Sequence, residues 1–411
     1  MRTCVHALLT SHRTMRILIG HNQYQQPGGE DAVARAEADL LKQNGEEVVV
    51  YERSNREIDS FSLPKKMSYA WQLNWSKRTY EELRDLLKRF KPDVVHFHNT
   101  FFMMTPSVFY ACKDEGVAVV QSLHNFRMFC ANGLFYRNNT VCEDCVRKSP
   151  WEGIRHRCYR GSSLLTACVA RMIKDHRDRG TWGKKVDLFI TATEFTKQKY
   201  VQHGIPAARI KVKPNFVYED PGKNTQPGTH ALYVGRLSPE KGVEVLIKAW
   251  EQLTQIPLKI IGAGELMGVL KESARNLSHV EFVGYAPPAE YDKYMRQAAV
   301  VIVPSVCYEN FPRIVAEAYA YGIPVVASRL GSLPELVREG KTGTLFEAGN
   351  TSDLAGKVKI LFGQENVLPA MRQQAREEYE SKYAAQKNYQ GLKDVYLQAV
   401  NFNEQVKASL P

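Results

Sequence analysis

Two carboxylates, Glu309 and Glu317, stand where they could hold a ligand between them. The residues at 300–305 are mostly apolar and predict a buried strand. A helix is predicted from Arg313 to Tyr321, with Pro312 at its first position, where a missing N–H costs little. Glu309 then lies in the loop and Glu317 inside the helix. A helix N-terminus between two carboxylates suits a negatively charged ligand that also carries hydroxyl groups, as a nucleotide-sugar does.

Two cations, Arg236 and Lys241, follow a predicted strand at 231–235 and precede a predicted helix. Arginine offers a planar fork for phosphate oxygens, and lysine offers a compact point charge. Together they could neutralise a diphosphate leaving group without a metal ion. An ordinary basic loop would explain this segment if it stood alone. The carboxylate pair in the same half of the chain favours the diphosphate-binding hypothesis.

A glycine pair, Gly28-Gly29, opens a helix predicted from Asp31 to Asn44 and closed by Gly45 as a left-handed cap. Without a Cβ atom, these glycines would let backbone N–H groups approach an anion closely. Taken alone, the pair is better explained as a plain turn.

Three histidines lie at predicted strand ends. His124 follows the strand predicted at 117–121, and active-site groups of parallel sheets gather at such ends. His124 is therefore a candidate for the reacting centre, with a structural hydrogen bond as the alternative. His96 and His98 flank another strand end. Either could line the acceptor cleft, and satisfied structural histidines are the favoured interpretation.

Four of the eight cysteines crowd into one segment: Cys130, Cys142, Cys145 and Cys158. In a cytosolic protein such a set binds metal more often than it forms disulfides. The hypothesis is a structural zinc ion held by four thiolates, with His156 as a substitute ligand. Two disulfides or free thiols are the alternatives. The other cysteines, Cys4, Cys112, Cys168 and Cys307, are scattered and are interpreted as buried or incidental thiols.

Length and composition limit the classes of protein to which this chain could belong. The chain has 411 residues, of which 44% are hydrophobic, and single cores rarely grow past roughly 250–300 residues, so two domains are expected. No apolar stretch approaches the roughly 20 residues that span a bilayer. The apolar patch Val5 to Leu9 is too short for a signal peptide. A cytoplasmic protein is expected. Residues 1–14 are interpreted as a dispensable extension or a misplaced start, because a natural first strand begins at Met15.

The net charge of +11 comes from 55 Lys and Arg against 44 Asp and Glu. Basic residues cluster between Arg155 and Lys185. Such a patch suits an anionic membrane surface or a phosphorylated substrate. The alternative is a solvent-exposed helical face without a specific partner. Nucleic acid is not expected, because no nucleic-acid recognition signature accompanies the patch.

Apolar runs rich in β-branched residues alternate with helical patterns, which predicts an α/β protein with two doubly wound, Rossmann-like domains and a ligand cleft between them. The predicted parts are an extension at 1–14, an N-terminal domain at 15–217 with a Cys-rich insertion at 125–160, a linker at 218–228, a C-terminal nucleotide-sugar domain at 229–385 and a helix at 386–411 that packs back on the N-terminal domain.

These features together resemble the family 4 glycosyltransferases, retaining enzymes of the GT-B fold. The resemblance covers about residues 15 to 350. It is carried by Gly28-Gly29, 93–99, Leu123-His124-Asn125, Pro214-Asn215, Gly235-Arg236, Lys241, the E-x7-E pattern of Glu309 and Glu317, 322–327, Gly331 and Pro334-Glu335.

The resemblance implies a role for each matched residue. Arg236 and Lys241 match positions that grip the donor diphosphate, and Glu317 matches the carboxylate that holds the ribose hydroxyls. Glu309 matches the residue facing the transferred sugar. His124 matches a cleft histidine near the reacting centre. The remaining donor contacts implied are Gly28, Gly29, Asn310, Phe311 and Pro312.

The activity implied is transfer of a hexose from a UDP- or GDP-linked sugar to a glycan or lipid-linked glycan, with retained configuration and no metal in catalysis. Partners would be the nucleotide-sugar donor, this acceptor and an anionic membrane surface, placing the protein at the inner face of the membrane. Two alternatives stay open. One is a nucleotide-sugar binding protein without turnover. The other is a Rossmann oxidoreductase, weakly indicated because Met267 stands where Gly262-Ala263-Gly264 would need a third glycine.

Overall fold

The computed structural model describes residues 14–25, 28–224, 227–364 and 367–409. The strands are β1 (Arg16–Gln23), β2 (Glu47–Ser54), β3 (Val94–Phe97), β4 (Ala118–Ser122), β5 (Tyr136–Arg137), β6 (Thr140–Val141), β7 (Leu188–Thr191), β8 (Ile210–Val212), β9 (His230–Val234), β10 (Leu258–Ile261), β11 (Val280–Gly284), β12 (Ala298–Val303), β13 (Val325–Ser328) and β14 (Gly343–Phe346).

The helices of the first half are α1 (Gly29–Gln43), α2 (Leu63–Trp71), α3 (Lys77–Phe90), α4 (Ser107–Asp114), α5 (Asp144–Arg147), α6 (Glu152–Arg155), α7 (Ser163–Asp178), α8 (Thr181–Lys185) and α9 (Glu194–Gln202). Those of the second half are α10 (Val243–Trp250), α11 (Met267–Ser273), α12 (Pro288–Gln297), α13 (Arg313–Ala320), α14 (Leu333–Leu336), α15 (Thr351–Gly363), α16 (Val367–Lys382) and α17 (Ala385–Ala408).

The N-terminal sheet has six parallel strands in the order β2-β1-β3-β4-β7-β8. Its inner strands β3, β4 and β7 are buried along their whole length, which is why they appear in the sequence as unbroken apolar runs. Helix α1 packs on one face and α4 on the other. The strand order therefore reverses between β1 and β3, and ligands of doubly wound sheets bind beyond such a point.

The C-terminal sheet also has six parallel strands, in the order β11-β10-β9-β12-β13-β14. Helix α10, which follows β9, packs on one face, and α13, which follows β12, packs on the other. The order reverses between β9 and β12, which places a crevice between the loops that follow these two strands. The predicted fold class, two doubly wound α/β domains, is confirmed.

Four strands and several helix boundaries differ from the sequence prediction. Strands β5, β6, β8 and β14 were not predicted, because each has only two to four residues and lies at a sheet edge. Helix α13 ends at Ala320 rather than at Tyr321, and Pro312 precedes it as the N-cap instead of taking the first helical position. Gly45 has the expected left-handed backbone, with φ of 84°.

The last helix, α17, lies against the N-terminal sheet. It begins at Ala385, one residue before the predicted boundary. Tyr396 donates or accepts a hydrogen bond 2.8 Å from Nδ1 of His96 on β3, and Lys393 lies 2.8 Å from Glu46. The two halves of the chain are thus joined by the linker and again by α17. None of the helices in the described residues is long and apolar enough to cross a bilayer.

The predicted extension at 1–14 lies almost wholly outside the described residues, and so do Pro27 and part of the predicted linker.

Candidate active site

Glu309 lies in the loop between β12 and α13 and forms an ion pair with Lys241, whose Nζ is 2.6 Å from Oε1. Ser305 donates a hydrogen bond to the same oxygen at 2.6 Å. Burial by itself would raise the pKa of Glu309, but the charge and hydrogen bond of Lys241 outweigh it and lower the pKa. Burial would likewise lower the pKa of Lys241, and Glu309 raises it instead. Both groups are therefore ionised at neutral pH.

Arg236 lies in the loop after β9 with 64% of its side chain exposed, and its guanidinium is 3.0 Å from Glu240. It is close enough to Glu309 to help lower the pKa of that carboxyl, although burial and Lys241 have larger effects. Arg236, Lys241 and Glu309 thus meet in the crevice between β9 and β12.

Close backbone packing holds the two loops of this crevice together. A Cβ atom at Gly242 would lie 1.9 Å from the carbonyl oxygen of Pro304, and its φ is 68°, so only glycine fits. The N–H of Val306 also donates to the carbonyl of Glu240 at 3.0 Å. The Lys241 loop is therefore locked to the Glu309 loop, which fixes the distance between their side chains.

Glu317 is held on both sides inside α13. The Tyr291 hydroxyl donates to it at 2.7 Å, and Arg313 forms an ion pair with it at 2.9 Å. Burial and the negative charge of Glu317 raise the pKa of Tyr291 well above its usual value, so the hydroxyl keeps its proton and remains a donor. Glu317 is thus held in a fixed position as an acceptor for hydroxyl groups.

The predicted donor loop also reaches the N-terminal half of the molecule. Asn310 donates through its side chain to the carbonyl of His124 and accepts from Thr196 at 3.1 Å. Gly29 lies opposite α13, since a Cβ atom there would be 3.7 Å from Cδ of Arg313. The structure therefore brings Gly28-Gly29, His124 and the E-x7-E loop to one cleft.

Phe311 and Pro312 are placed differently from each other. The Phe311 side chain is buried in the C-terminal core and packs edge-on against Tyr383, with ring centroids 5.5 Å apart. Pro312 caps α13 at the cleft with an extended backbone. Phe311 therefore anchors the loop, and only the backbone there is available to a ligand.

His124 is half-buried at the end of β4 and shares a hydrogen bond with His98 at 3.1 Å. His98 in turn lies 3.4 Å from Glu37, and Lys213 lies 2.7 Å from the other oxygen of Glu37. Burial lowers the pKa of His124 to about 4, against a smaller opposing effect of Glu37. His124 is therefore neutral at pH 7 and can donate or accept one hydrogen bond without carrying charge.

His96 is satisfied within the core. One of its ring nitrogens is hydrogen-bonded to Tyr396 and the other to Ser122, both at 2.8 Å. Among the residues that the structure describes, Glu37, His96 and His98 form the one group with ligand atoms all within 4.8 Å of one another. Both ring nitrogens of His96 are already bonded, and Glu37 Oε1 pairs with the Lys213 ammonium. Glu37 Oε2 and His98 Nε2, 3.4 Å apart, have no hydrogen-bond partner among the described residues.

A carboxylate that the sequence did not single out, Glu30, lies in the first turn of α1 beside the glycine pair. It accepts hydrogen bonds from Tyr24 and Asn125, both at 2.8 Å. Burial raises the pKa of Glu30, although both hydrogen bonds lower it. Two features of the sequence could have pointed to Glu30. It directly follows Gly29, and its partner Asn125 belongs to the Leu123-His124-Asn125 motif.

Other residues that the sequence analysis missed support the predicted groups directly: Tyr291, Ser305, Arg313, Thr193 and Thr196. Arg313 could have been found, because it stands four residues before Glu317 on one helix face. Ser305 could also have been found, because it stands four residues before Glu309. Tyr291, Thr193 and Thr196 come from distant positions in the chain, so only the fold reveals them.

A cavity of about 540 Å³, open solvent included, adjoins His124 on the N-terminal side. Its walls include His98, Phe101, Arg127 and Trp182. The Arg127 guanidinium lies over the Phe101 ring at 4.4 Å from the centroid. This mixed apolar and basic pocket lies in the half of the molecule that faces the donor loop.

The four clustered cysteines all line a second, smaller cavity in the segment that follows His124. The seven cysteines that the structure describes are free thiols. His156, the predicted substitute ligand, is absent from the described walls of this cavity. The cysteine cavity is separate from the crevice that holds Lys241 and Glu309.

Comparison with known families settles what kind of protein this fold and crevice belong to. Residues 27–220 match the domain described as Glycosyltransferase Family 4, and residues 219–378 match Glycosyl transferases group 1. The chain belongs to the family 4-like GT-B glycosyltransferases. The boundary between the two matched domains falls in the Gly- and Pro-rich segment between the sheets.

Individual proteins similar to this GT-B glycosyltransferase are also named as transferases. It is 33% identical over 167 residues to an uncharacterized glycosyltransferase of Methanocaldococcus jannaschii, covering 40% of this chain and 47% of that one. It is 26% identical over 333 residues to the sulfoquinovosyl transferase of Arabidopsis thaliana, covering 78% and 59%. The matches thus span less than two thirds of the length of these curated relatives.

Among solved structures, the Anabaena protein HepE in complex with UDP and glucose superposes with a TM-score of 0.64 at 17% identity, covering 92% of this chain and 99% of that one. At this identity the likeness shows the fold alone.

Proposed function

We propose that this protein is a retaining glycosyltransferase that moves a hexose from a nucleotide-diphosphate sugar to a glycan or lipid-linked glycan. The observation that carries the proposal is the set of charges in the crevice between β9 and β12. Lys241 and Arg236 supply positive charge beside the Glu309 loop, and Glu317 is held ready for hydroxyl groups. Those are the groups that a diphosphate, a sugar and a ribose require.

The chemistry follows from where charge develops. When the bond between the sugar and the phosphate breaks, negative charge builds on the diphosphate and positive character builds at the sugar ring. Lys241 and Arg236 stabilise the first, and preorganised charges of this kind give the largest catalytic effect in many enzymes. Glu309 positions the sugar, and Glu317 with its partner Tyr291 holds the ribose hydroxyls.

The neutral His124 suits the acceptor side of this reaction. It stands at the end of β4, across the cleft from the Glu309 loop, and the carbonyl of His124 is bound by Asn310. A neutral imidazole can orient a sugar hydroxyl without repelling the positive character of the ring. The cavity beside His124 provides the acceptor with a wall of aromatic and basic side chains.

UDP is the nucleotide that we propose for the donor. The support is the structural likeness to the Anabaena protein whose complex contains UDP and glucose. A GDP-linked hexose would use the same phosphate and ribose contacts, so both belong in the test.

The deciding experiment incubates the full chain with UDP- and GDP-linked hexoses and measures release of the nucleoside diphosphate with and without glycan acceptors. Acceptor-dependent release, and a product whose anomeric configuration by NMR matches that of the donor, are expected. Binding without release for every acceptor would instead support a nucleotide-sugar binding protein. An inverted product would overturn the retaining assignment.

The alternative of a nicotinamide-dependent oxidoreductase is disfavoured, because Gly262 and Gly264 serve close backbone packing in this protein. A Cβ atom at Gly262 would lie 1.9 Å from the carbonyl of Gly235, and one at Gly264 would lie 2.3 Å from that of Leu237. These glycines are required because the Arg236 loop packs against them. Hydride transfer to NAD or NADP in the same assay would contradict our proposal.

We also place the acceptor at an anionic membrane surface. Around the N-terminal half, Trp71 and Leu164 expose 64% and 55% of their surface, and Arg171 lies 4.6 Å from the centroid of the Trp71 ring. Exposed aromatic and basic groups side by side favour the membrane interface. Binding to liposomes containing phosphatidylserine at low salt is expected. Full activity on a soluble acceptor, with no liposome binding, would contradict this assignment.

A further inference from the structure

The Cys-rich segment from residue 125 to 160 has little regular structure to hold it in place. Its hairpin, β5 and β6, has two residues in each strand, and the helices α5 and α6 have four residues each. Elements of this length are not stable by themselves in water. The segment nevertheless forms walls of both cavities described above. Something beyond its backbone hydrogen bonds must stabilise it.

Four turns of this segment each deliver one cysteine to the same small cavity. Cys130 follows the turn after Phe126, and Cys142 follows the hairpin. Cys145 lies in α5, and Cys158 follows α6 with its N–H bonded to the carbonyl of Gly153 at 3.0 Å. The hairpin between Cys130 and Cys142 is closed by Asn138 and Asn139, both with positive φ. Such a two-residue turn fixes the hairpin register and so sets where Cys142 stands.

Backbone N–H groups point at the sulfur atoms, as a thiolate requires. Those of Asn132, Gly133 and Phe135 are directed at Cys130, and that of Ala131 is directed at Cys145. The Cys130 thiol donates to Asn132 Oδ1, 3.0 Å away.

The surroundings also carry positive charge. Arg137 lines the cavity and lies 3.1 Å from Asp144, which also lines it. A divalent ion held by four thiolates has a net charge of about −2, which a nearby guanidinium stabilises.

We propose that Cys130, Cys142, Cys145 and Cys158 bind one structural zinc ion. Four thiolates select zinc or iron over hard cations such as magnesium and calcium. All four cysteines line one small cavity, and sulfur atoms bound to one zinc ion are about 3.8 Å apart, since each Zn–S bond is about 2.3 Å.

Metal binding must draw the other two cysteines inward. Among the described residues, no three of the four sulfur atoms lie within 4.8 Å of one another. Cys130 and Cys145 are buried, whereas Cys142 and Cys158 are half-buried and lie on turns. Cys142 and Cys158 are therefore the ligands that move when the ion binds, and the binding energy becomes folding energy for the segment.

The zinc ion would also fix the wall of the cavity beside His124. Tyr159 directly follows Cys158, and the Arg127 guanidinium lies 5.4 Å from the centroid of the Tyr159 ring and 4.4 Å from that of Phe101. Arg127 in turn donates to the carbonyl of Ala131 at 2.6 Å, next to Cys130. This stack couples the cysteine turns to the cavity.

The test measures metal in the full chain, purified under reducing conditions, by mass spectrometry. We expect about one zinc ion per chain, as for a closed four-thiolate site. The double variant Cys142→Ser/Cys158→Ser should contain at least tenfold less zinc per chain. These two ligands are chosen because they are half-buried and can be changed with least damage to packing. The matched control Cys168→Ser lies on α7 outside the cavity and should keep the ion. Zinc in the double variant at the wild-type level would overturn the proposal.

A second measurement on the unchanged chain keeps the test independent of how the variant folds. Cobalt(II) added to the zinc-free chain should give the visible bands of a tetrahedral site and the near-ultraviolet bands of thiolate ligation. Titration of reduced thiols in denaturant should find all eight cysteines free. Two disulfides among the four, iron in place of zinc, or cobalt spectra without thiolate bands would each overturn the proposal. None of these readouts depends on transferase activity.

Discussion

At the scale of single residues, Lys241 and Glu309 are each other's counter-ion. Their side chains keep only 24% and 11% of their exposure. Removing one partner from a pair this buried leaves the other charge without compensation. Arg236, by contrast, is mostly exposed and held by Glu240. In the proposed reaction the donor diphosphate would compete with Glu309 and Glu240 for both cations. These ion pairs therefore belong to the crevice before a donor binds.

The first prediction concerns the Lys241→Ala variant. We expect kcat/KM for the nucleotide-sugar to fall at least about 100-fold, because the charge on the leaving diphosphate loses its fixed counter-ion. Steady-state release of the nucleoside diphosphate measures this. The control Lys259→Ala removes a lysine that pairs with Glu281 on the outer strands β10 and β11 and should keep wild-type activity. Wild-type turnover in Lys241→Ala would refute the assigned role.

A second prediction concerns His124 and pH. Its folded pKa of about 4 lies below the unfolded value of roughly 6.5, so between these values the unfolded chain binds a proton that the folded chain does not. Stability should therefore fall as pH falls from 6.5 towards 4. In His124→Asn, the slope of unfolding free energy against pH should be smaller by up to about 1.4 kcal/mol per pH unit. Urea unfolding at several pH values measures it.

The exposed residue His156 gives the control for this experiment. His156→Asn should keep the wild-type pH dependence. An unchanged slope in His124→Asn would contradict a histidine that is neutral in the folded state.

At the scale of elements, the site is built by loops that follow four strands, two in each sheet. The loops after β9 and β12 carry Arg236, Lys241 and Glu309. The segments after β1 and β4 carry Gly28-Gly29 and His124. Because the strands of each sheet are parallel, all of these loops leave the sheets at the same edge. Helix α17 packs on the face of the N-terminal sheet that also carries α1, and Tyr396 of α17 is hydrogen-bonded to His96.

This contact gives a third prediction. Tyr396→Phe removes the partner of a buried His96 nitrogen and should lower the free energy of unfolding by about 1–3 kcal/mol. Urea unfolding should show a lower midpoint with an unchanged slope. Tyr285→Phe, at a position 81% exposed, should leave the midpoint unchanged. Equal midpoints for Tyr396→Phe and the wild type would show that α17 does not depend on this bond.

At the scale of the whole molecule, the two halves touch across the cleft at few places. Glu335 in α14 accepts hydrogen bonds from the N–H groups of Glu194 and Phe195 at 2.8 and 2.9 Å. It thus places a negative charge at the N-terminus of α9, which is favourable. Asn310 makes further polar contacts, with Thr193, Thr196 and the His124 carbonyl. Together these contacts hold the cleft in the arrangement described here.

A fourth prediction tests this coupling. Glu335→Ala should raise the KM for the donor several-fold, because a less populated closed form lowers the apparent affinity in proportion. It should also increase the radius of gyration measured by X-ray scattering. The control Glu272→Ala changes a glutamate whose side chain is 71% exposed and should change neither quantity. A variant with wild-type KM and scattering would show that Glu335 does not govern closure.

The sequence alone predicted the fold class and the loops that carry Arg236, Lys241, Glu309 and Glu317. It could do so because buried parallel strands appear as unbroken apolar runs, and because helix starts are marked by short-range residue patterns. The four cysteines were also grouped from their spacing alone. Phe311 shows the limit: its place in the motif did not reveal that its ring turns into the core.

Only the tertiary structure decided which distant side chains serve each functional group. Tyr291 reaches Glu317 from α12 and Thr196 reaches Asn310 from α9, and no local pattern relates either pair. The order of the strands was likewise invisible, since β8 and β14 are short edge strands and neighbouring strands are far apart in sequence. Local propensity acts over a few residues, whereas the crevice between β9 and β12 arises from how helices pack on opposite faces of a sheet.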